Sequence, residues 1–230
     1  MNPFLLFAAL LPAGLLLLRV YQLDKIEKEP PKLLLQMVGC GALGGAAAAL
    51  AEMLLLRLLV SYLDTDGVWY SLIANFLAVA LVEELCKRFP IRRIAWKNPA
   101  FDYRFDAVVY CVFSALGFAA LENVIVVARM GLGAALSRAV LSIPGHFFFA
   151  VYMGVYMGEA KAAERAGEGF LLDRYLAASL LVPTLLHGFW DFSLSTGSTV
   201  MTVAFYVFVL MFFLLASQQL REAAEQDVKI

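Results

Sequence analysis

Residues 106–128 read DAVVYCVFSALGFAALENVIVVA, an apolar run with one carboxylate, Glu122, in its interior. A helix needs about 20 apolar residues to cross the roughly 30 Å hydrocarbon core of a bilayer, so this run is long enough to span it. Comparable windows lie near residues 3–20, 33–61, 68–86, 141–160, 171–195 and 198–218. The sequence therefore predicts an all-α, polytopic membrane helix bundle of about seven transmembrane helices.

The composition of the whole chain supports this prediction. Of its 230 residues, 62% are hydrophobic and only 16% are charged, and the mean hydropathy is +0.79. Seven spans with short connections use nearly all of the chain, so we expect one integral membrane domain over residues 1–230. The surroundings of this domain are then the lipid bilayer, and the net charge of -1 indicates no nucleic-acid partner.

The positions of Lys and Arg predict the orientation of the bundle. In a seven-span arrangement, fifteen of the 18 basic residues fall at one face, and only Arg129 and Arg138 fall in the loop at the other. Basic residues near span ends are retained in the cytoplasm. We therefore predict an N-terminus outside the cell and a C-terminus in the cytoplasm, with an odd number of spans.

Seven ionisable side chains lie within the apolar windows, where each costs about 2.5 to 3.5 kcal/mol on insertion scales. Such groups must pair with one another, with water or with a metal. They are Glu52, Glu83, Glu84, Glu122, His146, His187 and Asp191.

Three pairs in these windows are four positions apart, which places each pair on one helix face. They are Glu83 with Lys87, Phe118 with Glu122, and His187 with Asp191. Carboxylates beside histidines can activate water, stabilise an oxyanion, bind a divalent metal or relay protons. The spacing leaves these chemistries open, and each pair alone also has a structural interpretation as an ion pair, a hydrogen-bonded pair or core packing. Glu52 and Arg57 stand in no motif, and we expect them to be interface or packing residues.

Four short motifs in this region resemble those of one protein family. The run Glu83-Glu84-Leu85-Cys86-Lys87 resembles the E-E-x-x-K motif of the PrsW family of bacterial intramembrane proteases, and Phe118 to Asn123 resembles its F-x-x-x-E-N motif. Pro144-Gly145-His146 is similar to the third motif, and His187 to Asp191 is similar to the fourth, H-x-x-x-D. All four occur in the family's order, within a predicted motif-bearing core of residues 68–195.

The resemblance implies an intramembrane endopeptidase of the bacterial plasma membrane that cleaves a membrane-anchored protein, such as an anti-sigma factor. Its catalytic residues, carried over position by position, would be Glu83, Glu84, Glu122, His146, His187 and Asp191, supported by Lys87, Phe118 and Asn123. The related CAAX-type prenyl proteases carry His where this chain has Glu122, so an additional acidic ligand favours a metal here.

Two mechanisms follow from the resemblance and stay open at this point. In a glutamic mechanism without a cofactor, Glu83 or Glu84 takes a proton from water, and His187 helps to stabilise the oxyanion. In a metal mechanism, Glu83 is the base, and one divalent metal, for which zinc suits the ligand chemistry, is bound by Glu84, Glu122, His146 and His187.

Two other classes of function also use buried ionisable residues. An ion- or proton-coupled carrier would need polar lining along its path and often has inverted repeats, and the sequence shows neither feature. In a non-catalytic scaffold or chaperone, the histidines would only tie helices together.

A shared site also requires the motif residues to lie at one depth in the membrane. With straight helices, Glu83 would lie near the end of a span that stops at residue 86, whereas His146 and His187 would lie toward the other face. We therefore predict that the third helix continues past Lys87 toward Trp96, with Pro90 as the position of a kink.

Overall fold

The computed structural model of the protein describes residues 2–230 and contains no β-strand within that range. Seven helical segments are long and apolar enough to cross a membrane, which confirms the predicted all-α membrane bundle. They are α1 (Pro3–Leu23), α2 (Pro31–Tyr62), α3 (Val68–Ala95), α4 (Asp106–Met130), the pair α5 (Leu132–Val140) and α6 (Ser142–Ala166), α7 (Gly169–Ser195) and α8 (Thr199–Glu225).

Helix α3 is longer than its predicted span, because it continues to Ala95 instead of ending near residue 86. It contains two π-helical stretches, Ala74–Ala80 and Ile91–Ala95, and the second follows Pro90 directly. Proline lacks the backbone N–H of a regular helical turn, so the hydrogen-bond pattern changes there while the helix continues. The predicted extension of this helix is confirmed, and it places Glu83 near the middle of α3.

Helix α4 forms the centre of the bundle and packs against α1, α2 and α6. In its most apolar window, 61% of the residues are buried, against 6% in α2, which lies at the periphery. Gly117 of α4 meets the backbone of Val38, and Gly41 of α2 meets the backbone of Ser114. A Cβ atom at either glycine would overlap the opposite backbone, so this close crossing of α2 and α4 requires glycine.

The connections after α1, α3 and α6 lie at the same face of the bundle as the end of α8, and we call this the basic face. Most Lys and Arg residues lie there, as the loop count predicts. Lys87 and Arg88 are exceptions, because they lie well before the end of the longer α3 at Ala95. Arg138 also differs from its predicted position in a loop, since it belongs to helix α5.

A group of buried acids lies at the basic face, beside the connection between α1 and α2. Asp24 and Glu29 are each 2% exposed, and Glu29 accepts a hydrogen bond from the hydroxyl of Tyr110. Burial raises the pKa of Glu29 to about 9 and that of Asp24 to about 6. Glu29 is therefore protonated at neutral pH in the folded protein, and Asp24 ionises at a higher pH than a free aspartate.

We expect this burial to make the fold less stable as the pH rises. The folded state holds the Glu29 proton more tightly than an unfolded chain, in which the pKa is near 4.5, so stability falls between about pH 4.5 and pH 9. The variant Glu29→Gln, measured by thermal unfolding in detergent, is expected to melt higher than the wild type at pH 8, with a much smaller difference at pH 5. Exposed Glu27, on the same connection, provides the control Glu27→Gln. Equal shifts at both pH values would contradict this expectation.

Candidate active site

Three side chains of the E-E-x-x-K motif lie on one buried face of α3. Glu83 is 7% exposed, Glu84 is 0% exposed and Lys87 is 1% exposed. The spacings of three and four residues bring both carboxylates to the ammonium group of Lys87, whose Nζ lies 2.9 Å from Glu83 Oε2 and 2.7 Å from Glu84 Oε1. Lys87 therefore neutralises part of the charge of two carboxylates that are almost shielded from water.

His146, four residues after the start of α6, joins this group to Glu122 on α4. Its Nδ1 lies 3.0 Å from Lys87 Nζ, and its Nε2 lies 3.1 Å from Glu122 Oε2. The ammonium group of Lys87 can only donate, so Nδ1 must accept, and the remaining proton belongs on Nε2. The network thus assigns His146 as the neutral Nε2–H tautomer, which donates to Glu122.

His187, on α7, faces carboxylates at both of its ring nitrogens. Its Nδ1 lies 2.9 Å from Glu84 Oε1, and its Nε2 lies 3.2 Å from Asp191 Oδ2 and 3.9 Å from Glu83 Oε2. A nitrogen lone pair cannot face a carboxylate oxygen favourably, so each of these contacts requires a proton or another cation between the atoms. His187 is therefore suited to carry a proton or to bind a metal.

Aromatic rings enclose the two histidines. Phe118 is 2% exposed, and its ring centroid lies 4.6 Å from Lys87 Nζ, at cation–π distance. The ring of Phe149 stacks on that of His187 with their centroids 5.0 Å apart. These rings exclude water from the rear of the site and strengthen its electrostatic interactions.

Arg138 is a site residue that the sequence reasoning missed. Its guanidinium lies 2.9 Å from Glu122 Oε2, and its Nε donates to Asn123 Oδ1 at 2.9 Å. Asn123 in turn donates to the carbonyl of Ala9 on α1, at 2.6 Å, so its role is to tie helices together. In the sequence, Arg138 is one of only two basic residues between the predicted spans at the sparsely charged face, and that isolation was a signal.

The residues proposed as catalytic are joined in one chain of contacts, with Lys87 as its centre. No link in this chain is longer than 3.2 Å. It branches at Lys87, which contacts Glu83, Glu84 and His146. Glu84 continues to His187 and Asp191, and His146 continues to Glu122. Four separate helices, α3, α4, α6 and α7, supply the members, so the tertiary fold builds the site.

A cavity of about 440 Å³ gives access to this chain. Glu83 lines the cavity, whereas Glu84 and Lys87 lie behind it. The other lining residues lie mainly in the halves of their helices that are distant from the basic face. The polar ones are Glu52, Glu122, Ser137, Arg138, Ser142, His146, His187 and Asp191.

The donor set at the centre of the site fits a divalent metal. Glu83, Glu84 and His187 each offer a ligand atom, and these atoms lie within 4.8 Å of one another. Glu84 Oε2 is buried and has no hydrogen-bond partner, so it has a free lone pair for a cation. This group shares Glu84 and His187 with the predicted ligand set and contains Glu83 where that set has Glu122 and His146.

Comparison with known proteins decides the family. Residues 29–217 match the profile described as PrsW family intramembrane metalloprotease. The chain belongs to the PrsW family. Among curated relatives named Protease PrsW, that of Oceanobacillus iheyensis is 31% identical over 97% of this chain and 98% of its own. The Geobacillus kaustophilus relative is 34% identical over 83% of this chain and 79% of its own. No solved structure gives a significant match.

Membership of the PrsW family makes this multi-pass membrane protein an intramembrane protease. The resemblance carried by the four motifs is thus confirmed over most of the chain. The family description names a metalloprotease, which agrees with the buried group of two glutamates and a histidine. An enzyme is the class that these comparisons support, rather than a carrier or a scaffold.

Proposed function

We propose that this protein is an endopeptidase of the bacterial plasma membrane that cleaves a membrane-anchored protein, such as an anti-sigma factor. The observation that carries the proposal is the buried chain of carboxylates and histidines around Lys87, which meets a cavity at Glu83. Peptide hydrolysis needs a group that takes a proton from water, a group that stabilises the oxyanion and a route for water. The site offers each of them.

Glu83 is the proposed base, because it is the member of the acidic pair that lines the cavity. Its carboxylate takes a proton from a cavity water as the water oxygen bonds to the peptide carbonyl carbon. The same carboxyl group then donates that proton to the leaving nitrogen as the C–N bond breaks, so protons balance over the cycle. Lys87 holds Glu83 in place at 2.9 Å throughout.

His187 is the proposed donor to the oxyanion, because it lines the cavity beside Glu83. Its Nδ1–H donates to Glu84 Oε1 at 2.9 Å and so fixes the ring. Its Nε2–H, which lies 3.2 Å from Asp191 Oδ2, is the donor that Asp191 would share with the oxyanion. Stabilisation of this kind usually contributes more to catalysis than any other single interaction. Glu122 acts through His146, which it holds at 3.1 Å.

Glu83, Glu84 and His187 are the residues that would hold one divalent metal, and their mixed oxygen and nitrogen donors suit zinc. When bound, such an ion would supply Lewis acidity toward a peptide carbonyl and toward water, and it would take over from His187 the stabilisation of the oxyanion. Each residue offers one ligand atom, so Glu83 would keep its other carboxylate oxygen for the role of base. Lys87 contacts the same two carboxylates, so the ammonium group and a metal would share their negative charge.

The location of the cavity supports cleavage near the outer surface of the membrane. Glu122, His146 and His187 lie in the halves of α4, α6 and α7 that are distant from the basic face. If the basic face is cytoplasmic, as the charge distribution indicates, the cavity lies toward the extracytoplasmic side. A substrate would then present the segment that follows its membrane anchor on that side.

Metal analysis of the purified protein tests the proposed ligands. We expect close to one equivalent of zinc in the wild type after loading and dialysis, with at least a tenfold weaker affinity in His187→Ala. Elemental analysis and competition with a chelating dye measure both quantities. His146→Ala is the informative comparison, since His146 belongs to the predicted ligand set but not to the convergent group, by which we mean Glu83, Glu84 and His187. Zinc binding that survives His187→Ala and is lost in His146→Ala would contradict the proposed site.

Cleavage is tested directly in proteoliposomes that contain the protein and a single-span reporter. We expect cleavage of the reporter in its extracytoplasmic juxtamembrane segment, as determined by mass spectrometry of the products. A fully active preparation whose cleavage site lies at the cytoplasmic end would contradict the proposed side.

A further inference from the structure

Glu52 is a carboxylate in the cavity that the proposed mechanism does not use. It lies on α2, ten residues before the end of that helix at Tyr62, and is partly exposed. From the sequence we expect an interface or packing role, whereas in the structure Glu52 reaches the cavity. Glu52 lines the same cavity as Glu83, Glu122 and Asp191.

The other carboxylates around the cavity have basic partners. Lys87 pairs with Glu83 and Glu84, and Arg138 pairs with Glu122 at 2.9 Å. Asp191 lies 3.2 Å from the Nε2 of His187. Within residues 2–230, Glu52 forms no ion pair, and two of its neighbours in the lining of the cavity, Glu83 and Glu122, are also carboxylates.

A charged carboxylate within the bilayer costs free energy when no cation lies beside it. Water in the cavity lowers that cost, because it solvates the charge. The charge of Glu52 still attracts a cation that enters the cavity, more strongly than at an exposed surface because the surroundings are less polar. The same cavity is also lined by the aromatic side chains Phe149, Trp190 and Phe205. A peptide in this cavity would thus meet both carboxylates and aromatic rings.

We propose that Glu52 is a specificity-determining residue that binds a Lys or Arg side chain of the substrate, close to the scissile bond. This inference rests on the proposed endopeptidase function. Glu52 is the group suited to the role because its carboxylate alone, among those lining the cavity, has no protein cation or histidine at ion-pair distance. It lies outside the convergent group of Glu83, Glu84 and His187, so a metal held there would leave Glu52 available.

The test uses single-span reporters that differ only at one residue beside the cleavage site, which is Lys, Gln or Glu. In proteoliposomes, we expect the wild-type kcat/KM for the Lys reporter to exceed that for the Gln reporter about tenfold, and the Glu reporter to be the poorest. In Glu52→Gln, the Lys-to-Gln ratio should fall close to one. In Glu52→Lys, the preference should reverse toward the Glu reporter.

Asp66→Asn is the matched control, because Asp66 is an exposed carboxylate at the same end of the bundle and lies outside the cavity. It should keep the wild-type ratio. A Lys-to-Gln ratio unchanged in Glu52→Gln would overturn the proposal, and so would an equal loss of kcat/KM on all three reporters. A wild-type protein that cleaves none of the reporters would instead contradict the endopeptidase function on which the proposal rests.

Discussion

Glu83→Gln is expected to lower the rate of peptide cleavage by about 10²- to 10⁴-fold, the range for loss of a general base. The amide keeps the shape of the side chain and can still contact Lys87, but it cannot take a proton from water. Glu84, its neighbour in the motif, does not line the cavity and so is not placed to replace it. The measurement is the initial rate of reporter cleavage in proteoliposomes, with protein recovery and thermal unfolding recorded for each variant.

Glu84→Gln should also reduce cleavage severely, for a different reason. Glu84 is 0% exposed and contacts both Lys87 and His187, so its loss disturbs the position of the proposed base and of the proposed oxyanion donor together. Asp66→Asn makes the same chemical change at an exposed position and should cleave at the wild-type rate. A folded Glu83→Gln protein with a rate within threefold of the wild type would show that water is activated elsewhere.

Lys87→Met is expected to destabilise the protein by about 3 to 5 kcal/mol, the usual cost of leaving a buried charge without its partner. Lys87 is 1% exposed and lies within 3.0 Å of Glu83, Glu84 and His146. Methionine preserves most of the volume but leaves two carboxylates close together without a counter-charge. Reversible unfolding in mixed micelles, with a chelator present so that no metal replaces the ammonium group, measures the free energy of unfolding.

Lys97→Met serves as the control for this experiment, because Lys97 is exposed at the basic face and the substitution is identical. It should change the free energy of unfolding by less than about 0.5 kcal/mol. The double variant Lys87→Met with Glu84→Gln should regain part of the lost free energy of unfolding, since it removes one of the two carboxylates that lack a counter-charge. If Lys87→Met were as stable as Lys97→Met, the ammonium group would not be the centre of the buried network.

The sequence by itself determined the membrane bundle and the composition of the candidate site. Apolar windows of sufficient length require helices, because the bilayer core contains no water that could form hydrogen bonds with free backbone N–H and C=O groups. Spacings of three and four residues place Glu83, Glu84 and Lys87 on one face of α3, since the helical period is the same in any surroundings. The motifs in family order then identified four helices with a shared function.

Only the tertiary structure decided which of these groups meet. Contacts between helices depend on depth and rotation, and hydropathy windows encode neither. The extension of α3 to Ala95 brings Glu83 to the depth of His146 and His187. The position of α5 turns Arg138 toward Glu122, and the course of α2 brings Glu52 to the cavity. No local sequence pattern specifies these three arrangements, because each brings together residues that are far apart in the chain through the packing of whole helices.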